Sequence, residues 1–517
     1  MDFPITLDPS SKTPLWKQLS GALAEAILQG RLRPGDNLLP SRVLGQMLGI
    51  SRDTVVRAYD ELATQGYVEG STRAGTKVRH APLLDFKPTD GRRLSEVRPA
   101  LVSHPTPLSR YAERLVQIQS AGATSFDQPE LNFGGPPAEH LPARQWREIL
   151  TRQAVLQDTT KLAYDSELFG HRPLREAIAA YLRRSKAINC SSDQVVVFSD
   201  SQHALDLIAR ILLNEGDRVV VENPGYGGAR ENLMSHGAVL HPVAIDEHGL
   251  ITEQLSAVAG PCKLVHVTPA HHDPTGVVMS LERRQKLLQW AKQAGAYIIE
   301  DAFDSDFRYG SQPVPPLQVL DDTGSVIYLY SFWKVLYPIC SGGCMILPPH
   351  LVDVFARAKV LVKRNFPAIE HYVLADFISE GYLERHIRKV RGVYERRRQK
   401  LIYALAQNFK TGVSYHKESA GLHLLVRFNI GASDSEIKES AILAGLPMVG
   451  TGPYYVGESR PGEFLIPFAS IREDDIEQIV QHLADSLWSK QGKRDPQNAD
   501  AGDVMNPFDW YLSHCSA

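Results

Sequence analysis

Residues 326–338 read Val-Ile-Tyr-Leu-Tyr-Ser-Phe-Trp-Lys-Val-Leu-Tyr-Pro, and the fold follows from how this stretch is taken. Val326 to Tyr330 is an unbroken apolar and aromatic run, the composition of a strand covered on both faces. Lys334 then falls just past the strand's carboxyl end, the edge of an open α/β sheet where ligands bind. Its amine, among Phe332, Trp333 and Leu336, is partly desolvated. Burial disfavours the ammonium, lowers its pKa and frees a lone pair for attack on an aldehyde. A lysine of this kind is more often a snorkelling side chain, so its companions along the chain have to decide.

Those companions are four more short, apolar, β-branched runs: 195–198, 218–221, 264–267 and 296–299. Amphipathic helical runs such as 204–213 and 281–294 lie between several of them. The alternation predicts an α/β body from Leu131 onward, a mainly parallel sheet covered by helices.

The loops that follow these strands carry the chemistry. Ser199-Asp200-Ser201-Gln202 opens a helix whose amides suit a phosphate, and Asn223-Pro224-Gly225-Tyr226 offers an aromatic face. Thr268 to Gly276 follows the third strand, Glu300-Asp301-Ala302-Phe303 the fourth, and Lys334 the fifth. Each is commonplace alone: a turn, a capped helix start, an N-cap. Together, in this order, they make a set. A lysine amine, a carboxylate to keep a pyridine nitrogen protonated, an aromatic cover and a helix-start anion site are what a pyridoxal phosphate pocket requires.

The first eighty residues have a different character. Leu15, Leu19, Leu23 and Ile27 recur at helical spacing; a second helix opens at Pro40-Ser41-Arg42 and a third at Ser51, burying Val55, Tyr59 and Leu62. Tyr67-Val68-Glu69 and Thr76-Lys77-Val78 read as two short strands. Three helices and a hairpin form a winged helix-turn-helix. Ten Lys/Arg against eight Asp/Glu give no strong field, so placement has to carry the reading. Arg42, Arg52, Arg57 and Arg73 fall where recognition helix, supporting helix and wing meet phosphates and base edges, with Ser41, Ser51, Thr54 and Thr76 beside them.

Composition is otherwise ordinary: 517 residues, 43% hydrophobic, 22% charged, formal net charge −3. That length predicts two or three domains, and no global basicity demands a nucleic-acid partner. Cys190, Cys262, Cys340, Cys344 and Cys515 are odd in number and scattered, which argues for a reducing compartment and completes no metal set. No apolar run is long enough for a membrane span and Met1-Asp2-Phe3-Pro4 has no signal pattern, so a cytoplasmic protein without metal or membrane is expected.

The segments "GRLRPGDNLLPSR", "LGISRDTVVRAYDELATQGYVEG" and "AGTKV" closely resemble the GntR-type winged helix. "QHALDLIARILLNEGDRVVVENPGYGGAR", "IIEDAFDSDFRYG" and "ISEGYLERHIRKVRGVYERRR" resemble fold-type I aminotransferases. From Pro14 to about Leu487 the chain resembles the MocR/GabR family of regulators, a winged helix fused to an aminotransferase-like domain. Residues 80–130, with many Pro, Ser, Asp and Arg residues and little periodicity, read as a linker with one short helix from Ser109 to Gln119, and the resemblance implies a reader domain over 1–79 and a body over 131–489. The body would include a smaller C-terminal α+β subdomain at about 386–489, with a tail over 490–517. It further implies Lys334 as the Schiff-base lysine, Asp301 as the pyridine-nitrogen partner and Tyr226 as the stacking ring. Ser201, Gln202 and Ser331 would hold the phosphate, and Asp273 and Phe303 would complete the cofactor site. Homodimers, a double-stranded DNA operator and a small-molecule effector are the implied partners.

Several family positions carry a different residue here. The arginine expected seven residues after the lysine is Ser341, the glycine at the phosphate-binding helix start is Asp200, and the expected tyrosine is Phe303. Where aminotransferases place a substrate-carboxylate arginine, "GEFLIPFAS" offers Leu465 or Ile466. The expected function is therefore a transcription regulator that senses an amine or amino acid, with a weakened pyridoxal phosphate site. A working aminotransferase with a DNA reader, and a DNA-binding dimer with a dead pocket, are the alternatives.

Overall fold

Four of the five apolar runs pair in parallel within one eight-stranded sheet, and Lys334 follows the carboxyl end of the last of them. The computed structural model describes residues 5–11, 13–71, 75–79, 108–120, 136–156, 169–258, 260–309, 314–362, 368–415 and 420–490. The chain divides into two units, Met1–Pro107 and Leu108–Ala517.

In the first unit α1 (Leu15–Leu28), α2 (Ser41–Leu48) and α3 (Arg52–Thr64) precede a hairpin of β1 (Val68–Ser71) and β2 (Gly75–Val78). Leu19, Leu23, Ile27, Leu44, Val55, Leu62, Val68 and Val78 close its core. Ser51 caps α3, accepting the Thr54 N–H at 3.1 Å, and the Tyr59 hydroxyl donates to the Leu39 carbonyl at 2.7 Å. The expected wing turn, including Arg73, lies outside the described residues.

The second unit begins with α4 (Arg110–Ser120), α5 (Ala143–Leu156) and α6 (Arg172–Lys186). Then come β3 (Val195–Phe198), α7 (Ser201–Leu212), β4 (Arg218–Asn223), α8 (Gly227–Ser235), β5 (Val239–Asp246) and β6 (Gly249–Leu250). β7 (Cys262–Val267), α9 (Leu281–Ala294), β8 (Tyr297–Asp301), α10 (Leu317–Leu320), β9 (Val326–Ser331), α11 (Trp333–Leu336) and β10 (Gly343–Ile346) complete the sheet region. Strand order is β3-β10-β9-β8-β7-β4-β5-β6, with β9, β8, β7, β4 and β5 successively parallel. Their carboxyl ends therefore share one edge, and Asn223, Val267, Asp301 and Ser331 stand along it.

Two features depart from the sequence reading. β10 inserts antiparallel between β3 and β9, a four-residue strand too short to stand out. Gly343 is what admits it: a Cβ there would lie 2.2 Å from the Tyr330 carbonyl oxygen. And α4, read as part of a linker, is joined to the body: Arg114 Nε donates to the Ser235 carbonyl of α8 at 2.8 Å.

α12 (Val352–Val362) and α13 (Ala368–Ser379) lead into the long α14 (Tyr382–Phe409). The C-terminal part is an antiparallel sheet of β11 (Val413–Tyr415), β12 (Leu424–Phe428), β13 (Val449–Gly450) and β14 (Glu463–Ile466), in the order β11-β12-β14-β13. α15 (Asp434–Ala444) and α16 (Ile476–Lys490) pack with α14 over it, through Leu401, Leu405, Ile437, Val480 and Leu483. Of the tail expected over 490–517, Lys490 ends α16 and residues 491–517 lie outside the described residues.

Candidate functional site

Lys334 is placed by the end of β9. Ser331 Oγ accepts the Trp333 N–H at 3.2 Å, and the Phe332 N–H donates to the Gly342 carbonyl at 2.9 Å, so the strand turns at once into α11. The Lys334 amine lies 4.9 Å from the Trp333 ring centroid and 5.8 Å from that of Phe303. The residue as a whole is half-buried, and its amine is the buried part. Desolvation pushes its pKa down, against the opposing pull of Asp304 and Asp273.

Asp301 ends β8, buried, with Oδ2 3.6 Å from His266 Nε2 on the neighbouring strand β7. Tyr226 precedes α8; its hydroxyl accepts from Gln202 Nε2 at 2.9 Å and its ring centroid lies 6.5 Å from that of His266. Burial raises the phenol to about 12. Asp273, in the loop after β7, is raised to about 7, first by burial, although Lys334 pulls the other way. The structure thus brings Lys334, Asp273, Asp301, Phe303, Tyr226 and Gln202 to one sheet edge.

The start of α7 is held by the Asp200 side chain. Asp200 Oδ1 accepts the His203 N–H at 2.9 Å, so a carboxylate already caps this helix. Ser201 is half-buried beside it, while Ser341 is exposed. Ser331, expected on the phosphate, has its hydroxyl on the Trp333 amide. Leu465 and Ile466 are fully buried in β14.

Sequence reasoning missed the second layer. His271 Nδ1 stands 2.7 Å from Asp304 Oδ2, both side chains almost wholly buried. The His423 ring lies 5.3 Å from that of His271, and His423 Nε2 is 3.2 Å from the Pro274 carbonyl. Burial first, then His271 and Lys334, hold His423 neutral by driving its pKa well down. Glu222, at the carboxyl side of β4, receives the Thr268 N–H at 3.0 Å and its hydroxyl at 2.8 Å. Burial raises that carboxyl to about 8. Arg230 ties the Tyr226 loop to the C-terminal part, donating to the carbonyls of Gly225, Pro453 and Tyr454. The three aspartates of "DAFDSD" were the available signal for Asp304; nothing local in the sequence marked His423 or Arg230.

In the first unit, Arg42, Ser51, Arg52 and Arg57 are exposed, and Ser41, Thr54 and Thr76 half-exposed. Val55, Ala58 and Leu62 turn the other face of α3 into the core. Among the described residues no cluster of His, Cys, Asp or Glu has the arrangement of a metal site, and no helix is long and apolar enough to cross a membrane.

Two protein families match this chain. Residues 130–483 match "Aminotransferase class I and II", whose members depend on pyridoxal phosphate, and residues 15–78 match "Bacterial regulatory proteins, gntR family". The probable rhizopine catabolism regulatory protein MocR of Rhizobium meliloti is 33% identical, over 84% of this chain and 86% of its own length. The HTH-type transcriptional regulator YhdI of Bacillus subtilis is 29% identical over 95% and 99%. The solved kynurenine aminotransferase of Pyrococcus horikoshii superposes with a TM-score of 0.64 at 28% identity, covering 75% of this chain and 96% of that one.

Proposed function

Because this chain belongs to the MocR/GabR family, a gntR-type reader joined to a class I and II aminotransferase body, we propose a DNA-binding transcription regulator that senses a small amine or amino acid at the Lys334 pocket. The observation that carries this is the pairing of both matches in one chain, with relatives named as HTH-type regulators along nearly its full length. The reader would occupy 1–79 and the sensing body 131–489, acting as a cytoplasmic homodimer. Arg42, Arg52 and Arg57, with Ser41, Ser51, Thr54 and Thr76, would meet phosphates and base edges. Ligand contacts would then favour one arrangement of reader and body over another.

The pocket fits pyridoxal phosphate at its ring end and not at its phosphate end. Lys334, Asp301 and Tyr226 suit an aldehyde, a pyridine nitrogen and a ring face, and Asp273 and Phe303 would line the same end. When bound, such a cofactor supplies an aldehyde for the lysine and an electron-withdrawing ring. At the other end Asp200 holds the helix start and Ser341 brings no charge, so the phosphate would rely on the neutral donors of Ser201, Gln202 and Ser331, whose hydroxyl accepts the Trp333 N–H and keeps its own O–H to give. Lacking one charge-assisted contact costs roughly 1.5–3 kcal/mol, or about tenfold to hundredfold in affinity. Weak cofactor binding and a sensing role follow, with no catalytic step built on the cofactor.

Selection of genomic fragments by the purified protein tests the reading. Wild type should enrich a defined site and Arg57→Ala should bind it more weakly at every salt concentration. Enrichment of nothing above background, or steady turnover of amino donors and keto acids without DNA binding, would overturn it.

A further inference from the structure

The His271–Asp304 pair adjoins the Lys334 pocket: the His271 ring centroid lies 6.1 Å and the Lys334 amine 5.8 Å from the centroid of Phe303, the residue before Asp304. Both side chains are about 1% exposed, and the 2.7 Å separation joins a ring nitrogen to a carboxylate. The ring is wedged in place. Gly421 donates its N–H to the Phe307 carbonyl at 2.7 Å and accepts from the Tyr309 hydroxyl at 2.8 Å. A Cβ at Gly421 would come within 1.9 Å of His271 Cε1, so only glycine leaves room for the imidazole. Both His271 ring nitrogens and both Asp304 carboxylate oxygens are buried with no hydrogen bond among the described residues, so the 2.7 Å approach is an ion-pair contact without hydrogen-bond geometry. A buried ion-pair contact with unsatisfied atoms is costly and calls for a use.

Asp304 and Asp273 face Lys334 and favour its ammonium form. Asp301 and His271 act in turn on Asp273, and His271 and His272 on His423. Of the two facing carboxylates, Asp304 alone has a ring nitrogen at ion-pair distance.

We propose that His271 is a positioning residue that holds Asp304 and withdraws part of its charge from Lys334, so that the lysine amine is available as a nucleophile. The inference rests on the reading of Lys334 as the reactive amine of the pocket. With His271 in place, Asp304 shares its charge with the ring and stabilises the ammonium less. Without His271, the whole carboxylate acts on Lys334 and the amine becomes harder to deprotonate. The two partners therefore move Lys334 in opposite directions, which a purely structural role would not do.

The test measures the rate of Lys334 labelling by salicylaldehyde as a function of pH, in the full-length protein. The amine adds to the aldehyde carbon, water leaves, and borohydride supplies the hydride that fixes the imine as a secondary amine, located by peptide mass. The probe's own ionisation is common to all variants. Asp304→Asn, nearly isosteric, should shift the pH midpoint down by about one unit, and His271→Gln should shift it up by a similar amount. The double variant should behave as Asp304→Asn, because His271 then has no charge to withdraw. Shifts in the same direction, no shift in the well-folded Asp304→Asn protein, or a His271 effect that survives in the double variant would overturn the proposal. No labelling of Lys334 in the wild type at any pH would instead defeat the reading on which the proposal stands.

Discussion

Asp200→Asn separates charge from structure at the start of α7. The side-chain oxygen at this position accepts the His203 N–H at 2.9 Å, and asparagine caps a helix about as well as aspartate, so thermal stability should change little. What disappears is one negative charge where a phosphate would approach the helix amides. Two unit charges about 4 Å apart interact by about 4 kcal/mol near a protein surface and by about 1 kcal/mol in water. Asp200 is exposed, which favours the lower figure. Pyridoxal phosphate should therefore bind about fivefold more tightly to the variant, read by absorbance titration. Pyridoxal, which lacks the phosphate, is the control and should bind both proteins alike. Unchanged affinity for pyridoxal phosphate, or an equal gain for pyridoxal, would refute an Asp200 carboxylate acting on the phosphate end.

Other consequences follow from the same geometry. Glu222 is raised from an ordinary 4.5 to about 8, so between those values the folded carboxyl keeps a proton that the unfolded chain releases. Folding therefore loses stability as pH rises through that window, and Glu222→Gln should melt higher relative to wild type at pH 8 than at pH 5. An identical difference at both pH values would argue against a protonated Glu222. Leu23→Ala removes a fully buried side chain from the first unit's core and should cost about 2–5 kcal/mol, seen as earlier loss of DNA binding on heating. Retention of DNA binding to the wild-type temperature would place Leu23 outside the reader's core.

The sequence revealed the fold where local pattern and global structure agree. All five apolar runs became strands, and Lys334, Asp301 and Tyr226 fell on the shared carboxyl edge because parallel strands put their loops there. β10 was not legible, since its place depends on Gly343 admitting a neighbouring carbonyl, a contact that no local pattern encodes. The Asp200 substitution was legible at the helix start, and the cap it forms is local, its acceptor and donor three residues apart. The His271–Asp304 pair and His423 were not, since they meet only when residues from three separate loops converge. Arg230 was hidden for the same reason: its acceptors at Pro453 and Tyr454 are more than two hundred residues away.

The most direct test of a sensing pocket is the affinity of the protein for its selected DNA site, measured by fluorescence anisotropy across a panel of amines and amino acids. At least one compound should change the affinity in the wild type, and Lys334→Ala should bind the same DNA but no longer respond. A panel with no effect on wild type, or a response undiminished in Lys334→Ala, would contradict the account.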